Sequence, residues 1–340
     1  MVARPQRRGV RLKVQPSSIS LQSFEEVLPA PLPDEVVVEV RASSLNYHDY
    51  LVLTGAIPVA DGRIPLSDGA GTVVAAGSAV KEFALGDNVL GIFFPDWVRG
   101  KPTPETLVNI AGDSVDGFAA SHVVMPERRF TPMPEGLGFM EAATIPCAGV
   151  TAWTALTGDG GIEPGDVVVI QGSGGVAIWT LQLAKSMGAR VIALTSSREK
   201  SATLASLGAD LTIDYKSQPD WALPVIEFTG GAGADLIVDV VGGAGFSQSI
   251  AACRMGGRIA AIGFLADTIA PVAIPDLLLR HIRISGRAVG SREDQENLVK
   301  YISGKSINPV VGKSFYMEKL SDAFKEFERN ETVGKISIVN

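Results

Sequence analysis

Hydrophobic and polar positions change rhythm along this chain. In the first third, short apolar runs stand between turn residues. Residues 36–40 (VVVEV) follow a Pro-rich turn at 29–34, and residues 69–77 (GAGTVVAAG) are framed by glycine. Residues 89–94 follow the turn Gly86-Asp87-Asn88, and residues 118–125 (FAASHVVM) form a further run. Several short strands separated by Gly, Pro, Asn and Asp predict a small barrel or curled sheet. The polar stretch 95–116, which contains Pro and Gly, predicts a surface loop.

The middle has a different period. A fully apolar run at 167–171 (VVVIQ) precedes Gly172-Ser173-Gly174-Gly175, and residues 176–188 then follow a helical pattern that stops at Gly188. A strand at 190–194, a helix at 197–207 ended by Gly208, and strands at 234–241 and 258–263 continue the alternation. Strand and helix in this order predict βαβ units and a parallel sheet. The tail predicts a strand at 282–289, helices at 291–302 and 319–330, and a last strand at 335–339.

Composition narrows the class. The 340 residues are 46% hydrophobic and 20% charged, as in an ordinary folded protein long enough for two domains. Two cysteines, Cys147 and Cys253, are too few for a disulfide framework or a zinc ribbon. A net charge of -7 gives no electrostatic footprint for nucleic acid. The basic start, with Arg4, Arg7, Arg8 and Arg11, has no apolar core of a signal peptide, and no run is long enough to span a membrane. A cytoplasmic setting is expected.

The glycine cluster carries the strongest chemistry. Gly172, Gly174 and Ala177 meet the pattern G-x-G-x-x-G/A between a strand and a helix. Glycine there permits a tight turn and a close approach to a pyrophosphate, which the helix N-terminus then holds through free N–H groups. An NAD site usually has a carboxylate about 20 residues further on, for the ribose hydroxyls. Here the strand tip is Thr195, followed by Ser196, Ser197, Arg198, Glu199 and Lys200. Hydroxyls and cations suit a 2′-phosphate, so NADP is expected over NAD. Alternatively, Arg198 and Lys200 are the solvated face of the next helix.

Longer motifs extend this reading. In order they are Ser44-Leu45-Asn46-Tyr47-His48-Asp49, Pro65-Leu66-Ser67-Asp68-Gly69-Ala70-Gly71, Gly86-Asp87-Asn88-Val89 and Pro146-Cys147-Ala148-Gly149-Val150-Thr151-Ala152. The glycine cluster, Asp239-Val240-Val241-Gly242-Gly243 and Gly334-Lys335-Ile336 follow. Together they resemble the medium-chain dehydrogenase/reductase superfamily, and within it the zinc-free quinone oxidoreductase-like branch. The resemblance implies an α/β fold: a GroES-like β-barrel catalytic domain at 1–125, a Rossmann doubly wound parallel-sheet domain at 126–265, and a return to the catalytic domain at 266–340 with an edge strand that pairs in a homodimer. It implies a cofactor in the cleft between the domains. It assigns catalytic roles to Asn46, Tyr47, His48 and Asp49. Beyond Gly172, Ser173, Gly174, Gly175, Val176, Thr195, Ser196, Ser197, Arg198 and Lys200, it assigns cofactor contacts to Cys147, Thr151, Tyr215, Val241, Ile262, Gly263, Phe264 and Lys335.

Zinc in that superfamily takes a Cys, a His and a Cys or Asp. The positions here hold Asn46 and Ser67, with Cys147 alone matching a thiolate ligand, so no metal is expected. Without a Lewis acid, alcohol oxidation lacks support, whereas a quinone or an α,β-unsaturated ketone or aldehyde needs only positioning and hydrogen bonds to the developing oxyanion. Asn46 is expected to donate to that oxygen, Tyr47 or His48 to give a hydrogen bond or proton, and Asp49 to orient its neighbours. Phe94, Trp97 and Phe264 are candidate acceptor-pocket walls. Other roles stand beside these: Asn46 and Asp49 as turn residues, Tyr47 as a packed ring, Trp97 as a loop aromatic, and Cys147 as a small filler near the cofactor. The alternative functions are a zinc-independent alcohol or carbonyl dehydrogenase and a non-catalytic NADPH-binding protein.

Overall fold

Strands β1 (Gln6–Gln15) and β2 (Ser18–Val27) pair antiparallel across the turn at Pro16 and Ser17. The sequence pattern missed this hairpin because one of its faces is charged. Arg7 and Arg11 reach Glu26 on that face, while Val10 and Leu12 are buried on the other. The computed structural model describes residues 5–340, so Arg4 of the basic start lies outside the described residues.

The chain continues through β3 (Glu35–Ser44), α1 (Tyr47–Leu53), β4 (Ala70–Ala76), β5 (Asn88–Gly91), β6 (His122–Pro126), β7 (Phe130–Pro132) and α2 (Phe139–Ala142). Next come α3 (Val150–Thr157), β8 (Val167–Gln171), α4 (Gly175–Ser186), β9 (Arg190–Thr195), α5 (Arg198–Ser206), β10 (Leu211–Asp214), α6 (Ala222–Phe228) and β11 (Ala234–Asp239). Then follow α7 (Phe246–Ala252), β12 (Cys253–Ala261), α8 (Ile274–Arg280) and β13 (Arg283–Gly286). The return segment holds α9 (Arg292–Ile302), β14 (Val311–Tyr316), α10 (Leu320–Arg329) and β15 (Lys335–Val339).

These elements form two units, Met1–Val150 with Val289–Asn340, and Thr151–Ala288. Both ends of the inserted unit differ from the expected domain limits. β6 pairs with β3 and β7 with β5, so the chain beyond residue 125 still belongs to the first unit. β13 pairs in parallel with β12, so the expected edge strand belongs to the inserted sheet.

In the first unit, strands run in the order β14-β15-β3-β4-β5-β7, with β6 on β3. Val36, Val38 and Val40 of β3 alternate into a core with Val73, Val89 and Phe130. A second cluster joins Leu45, Ile64 and Leu66 to Met317, Leu320 and Phe324 of the return segment. Pairing of β15 with β3 sets Ser337 opposite Ser44, which carries Lys335 to the start of α1.

The inserted unit is the expected parallel sheet, in the order β10-β9-β8-β11-β12-β13. All five residues of β8 are buried, as a central parallel strand covered on both faces requires. Among the described residues, no helix is long and apolar enough to cross a membrane.

Candidate active site

The glycine turn of the inserted unit has room for a ligand. Gly172 has φ +80, a conformation that favours glycine, and Gly174 precedes the first residue of α4. A Cβ built on Gly172 or Gly174 would meet nothing within 4 Å. No side chain caps the first turn of α4, so its N–H groups remain for an anion. Ser173 is buried in the turn, Gly175 and Val176 open the helix, and Ala177 is buried against the sheet. These residues fit a dinucleotide pyrophosphate.

At the end of β9 the expected group divides. The Thr195 side chain is 1% exposed and cannot be presented to a phosphate. Ser197 caps α5, its Oγ accepting the Lys200 N–H at 3.3 Å. Ser196 and Lys200 are half-buried, and Arg198 is exposed. Tyr215 follows β10 and donates its N–H to the Thr195 carbonyl at 3.1 Å, with 42% of its surface exposed. Ser196, the start of α5 and Arg198 are the groups left here that could hold a 2′-phosphate.

Sequence reading missed a polar brace between strand ends. Asp239 is 1% exposed and accepts from Gln171 Nε2 at 3.0 Å, Ser249 Oγ at 2.6 Å and the N–H groups of Val241 and Gly242 at 3.0 and 2.9 Å. Gln171 Oε1 accepts the Val240 N–H at 3.1 Å. The brace fixes the loop after β11 beside the glycine turn. Ile262 and Gly263 leave β12 next to it, and a Cβ on Gly263 would approach the Val240 carbonyl to 2.3 Å. Phe264 follows, 44% exposed. The signal was the Asp239 motif and the terminal Gln171, but neither spacing shows that they meet. Thr151 is buried at the start of this unit.

The first unit holds a separate polar cluster. Asp49 closes a capping box at the start of α1: its Oδ2 accepts the Asn46 N–H and its Oδ1 the Ser67 N–H, both at 2.8 Å. Asn46 Nδ2 donates to Ser67 Oγ at 3.1 Å and to Asp68 Oδ2 at 2.8 Å, while Asn46 Oδ1 accepts from Lys335 Nζ. Both amide hydrogens are thus committed. Asn46 is not the expected donor to an acceptor oxygen; it is a brace.

Lys335 also departs from its expected cofactor contact. It is 5% exposed, donates to the Leu45 carbonyl and to Asn46 Oδ1, and lies 3.5 Å from Asp68 Oδ2. Asp68 is fully buried, and Ser44 Oγ donates to its Oδ2 at 2.6 Å while its Oδ1 has no partner. Burial raises the Asp68 carboxyl above its ordinary value, with Lys335 opposing. Cys147 belongs to the same cluster. Burial, then the Asp68 charge, pushes its thiol well above the ordinary range.

This donor set does not fit zinc. An ammonium group occupies the centre, the amide and hydroxyl at Asn46 and Ser67 are poor ligands, and Cys147 is the one thiol of the cluster. Among the described residues, no three His, Cys, Asp or Glu side chains form a metal-holding group.

The strained backbone of the cluster sits at Leu66, a fully buried non-glycine residue with φ +78. In the same unit, His48 Nε2 lies 3.1 Å from Asp113 Oδ2, and the His48 ring meets Phe93 edge-on at 5.2 Å. Phe93 meets Phe94 at 4.8 Å, and Phe94 meets Trp97 at 6.3 Å. Trp97 is tied down by its indole N–H on the Gly100 carbonyl at 2.9 Å. Tyr47 is half-buried and stacks on Tyr50 at 6.1 Å. His48, Phe93, Phe94 and Trp97 thus form one wall in this unit.

Comparison with known proteins agrees with this architecture. Residues 32–135 match the family described as alcohol dehydrogenase GroES-like domain, and residues 175–304 match zinc-binding dehydrogenase. A zinc-type alcohol dehydrogenase-like protein of Schizosaccharomyces pombe is 36% identical, over 93% of this chain and 94% of its own. An acryloyl-coenzyme A reductase of Sulfurisphaera tokodaii is 28% identical, over 92% of this chain and 95% of its own. A provisionally named alcohol dehydrogenase of Sinorhizobium meliloti 1021, known from its crystal structure, superimposes with a TM-score of 0.94 at 35% identity, covering 100% of both chains.

Proposed function

This chain belongs to the medium-chain dehydrogenase/reductase superfamily, and from that premise we propose that it is an NADPH-dependent reductase of quinones or α,β-unsaturated ketones and aldehydes that works without a metal. The observation that carries the reading is the buried Lys335 ammonium among Asn46, Ser67 and Asp68. Alcohol oxidation at neutral pH needs a group that acidifies the hydroxyl, as a metal does. A conjugated acceptor needs less, because charge moves onto an oxygen that hydrogen-bond donors can stabilise. The S. tokodaii relative is named for reducing acryloyl-coenzyme A, a conjugated acyl group.

The glycine turn at Gly172–Val176 holds the pyrophosphate, and Ser196 and Arg198 the 2′-phosphate. When bound, the reduced nicotinamide supplies the hydride. Asp49, Asn46 and Lys335 fix the start of α1, which carries Tyr47 and His48. His48 gives the proton or hydrogen bond to the acceptor oxygen.

A homodimer is part of the proposal. β13 is an edge strand, and Ile269, Ile274, Leu278 and Leu279 are exposed around α8. A second copy would cover this face and pair the edge.

A zinc-independent alcohol or carbonyl dehydrogenase is the second reading, favoured by the names of several relatives. Assays with NADPH and benzoquinone or crotonaldehyde, set against NADP with simple alcohols, separate the two. Turnover of the conjugated acceptors supports the proposal. Alcohol oxidation in their place overturns it.

A further inference from the structure

We propose that Asp113 is the positioning residue of the proton-donating group, its carboxylate standing against Nε2 of His48 so that Nδ1 faces the acceptor. This rests on the reductase reading above and deepens it. Asp113 comes from the loop expected to be mere surface, and nothing in its sequence spacing links it to α1.

His48 has two unlike sides. Nε2 is buried, and the Asp113 carboxylate at 3.1 Å is its charged neighbour, although the N–H points off the line to Oδ2. Nδ1 carries no hydrogen bond among the described residues and is not sealed from solvent. The two side chains are 13% and 11% exposed, so the pair is shielded but not closed off. An imidazole with a carboxylate behind one nitrogen and an open side at the other is arranged to deliver a proton from the open nitrogen. The carboxylate selects the tautomer by facing the Nε2 side of the ring.

The loop that carries Asp113 is built to hold it still. The Gly112 N–H donates to the Val115 carbonyl at 2.9 Å, and Ser114 Oγ donates to the Ile110 carbonyl at 3.2 Å. The Ser114 N–H donates to Asp113 Oδ1, which leaves Oδ2 for His48. Gly112 has φ +88, and a Cβ there would come within 2.8 Å of the Leu66 nitrogen. A Cβ on Gly117 would come within 2.2 Å of the Leu66 carbonyl oxygen. The Phe118 N–H donates to that same oxygen at 2.9 Å. The loop is therefore clamped on the strained residue next to Ser67 and Asp68. Its other shoulder is fixed by the buried Arg129, which donates to the Asn109 carbonyl at 3.1 Å, and by Asn109 on Asp96 at 2.7 Å.

The proton balance is simple. The imidazolium loses the proton on Nδ1 to the acceptor oxygen that gains charge in the two-electron reduction. The N–H bond breaks as the O–H bond forms, and NADPH is the reductant. His48 is left neutral with its proton on Nε2, facing Asp113, and Nδ1 regains a proton from solvent.

The test combines kinetics with histidine nitrogen chemical shifts on isotope-labelled protein, using NADPH and crotonaldehyde. Asp113→Asn keeps the shape and removes the charge. The expected loss in kcat is about 10-fold to 100-fold, modest beside the largest dyad effects, with KM and NADPH affinity within about two-fold. In the His48→Gln background the same change should add nothing, and Asp113→Glu should restore part of the rate. In the unaltered protein the neutral His48 should show the Nε2–H tautomer, and Asp113→Asn should mix the tautomers. A wild-type rate in Asp113→Asn, additive losses in the double variant, or a His48 protonated on Nδ1 in the unaltered protein would each overturn the assignment. The tautomer measurement needs neither turnover nor a folded variant. If crotonaldehyde and benzoquinone are not reduced at all, the reductase reading fails. The spectrum then still decides whether Asp113 orients His48.

Discussion

Asn46 shows what a single residue can and cannot reveal. Its place in the run Ser44–Asp49 was readable, and so was its unsuitability as a zinc ligand. Its actual use was not, because its partners are remote in sequence: Ser67 is 21 residues away, Asp68 is 22 and Lys335 is 289. Only the pairing of β15 with β3 brings the ammonium to the amide. The same cluster makes a stability prediction. The Asp68 carboxyl is raised above 3.8 by burial, so below that value it is protonated in both folded and unfolded chains. As pH rises above 3.8, the unfolded chain releases its proton first, and stability contributed by the protonated form is lost until the folded carboxyl ionises as well. Asp68→Asn should flatten that part of the stability curve, read as denaturant midpoint against pH. Lys335→Met should steepen it and cost about 3–5 kcal/mol near neutral pH, the usual result of stripping the partner from a buried charge. An unchanged midpoint in Lys335→Met would show that the ammonium does not compensate Asp68.

Elements with a clean period were legible, and mixed ones were not. β8 and β15 coincide with the expected strands, and α4 begins one residue from its expected start, since buried parallel strands and glycine-stopped helices leave strong signals. The β1–β2 hairpin escaped because arginines and a glutamate cover one face, and α1 because seven residues give too short a period. α5 shows a subtler shift. Its cap consumes Ser197 and the fold buries Thr195, so two of the expected phosphate hydroxyls serve the protein itself. The glycine turn gives the sharpest prediction at this scale. Gly174 has φ -77 and open space at its Cβ position, so alanine fits without strain. Gly174→Ala should leave thermal stability within a degree or two, as expected of a substitution that breaks no native contact. It should weaken NADPH binding by about ten-fold, or 1.4 kcal/mol, by filling the pyrophosphate's space. Undiminished affinity in a calorimetric titration would contradict the use of this turn.

For the molecule as a whole, the order of a β-rich part, a βαβ part and a return segment was visible in the changing period. The limits of the inserted unit were not, because strand pairing rather than composition sets them. β6 and β7 join the first unit through β3 and β5, and β13 joins the inserted sheet through β12. That last pairing leaves a free edge with an apolar neighbour in α8. The dimer proposal predicts a two-chain mass in sedimentation, and Leu278→Glu with Leu279→Glu, at two exposed positions, should give a folded monomer. A monomeric parent would overturn the proposed dimer. In the proposed reaction Lys335 and Asn46 brace the site and no metal takes part. The most direct measurement is the rate of NADPH oxidation with benzoquinone or crotonaldehyde by protein treated with a strong chelator, before and after zinc is added back. Full activity in the chelated protein and no gain from zinc are the expected result. Loss of activity on chelation, restored by stoichiometric zinc, would contradict it.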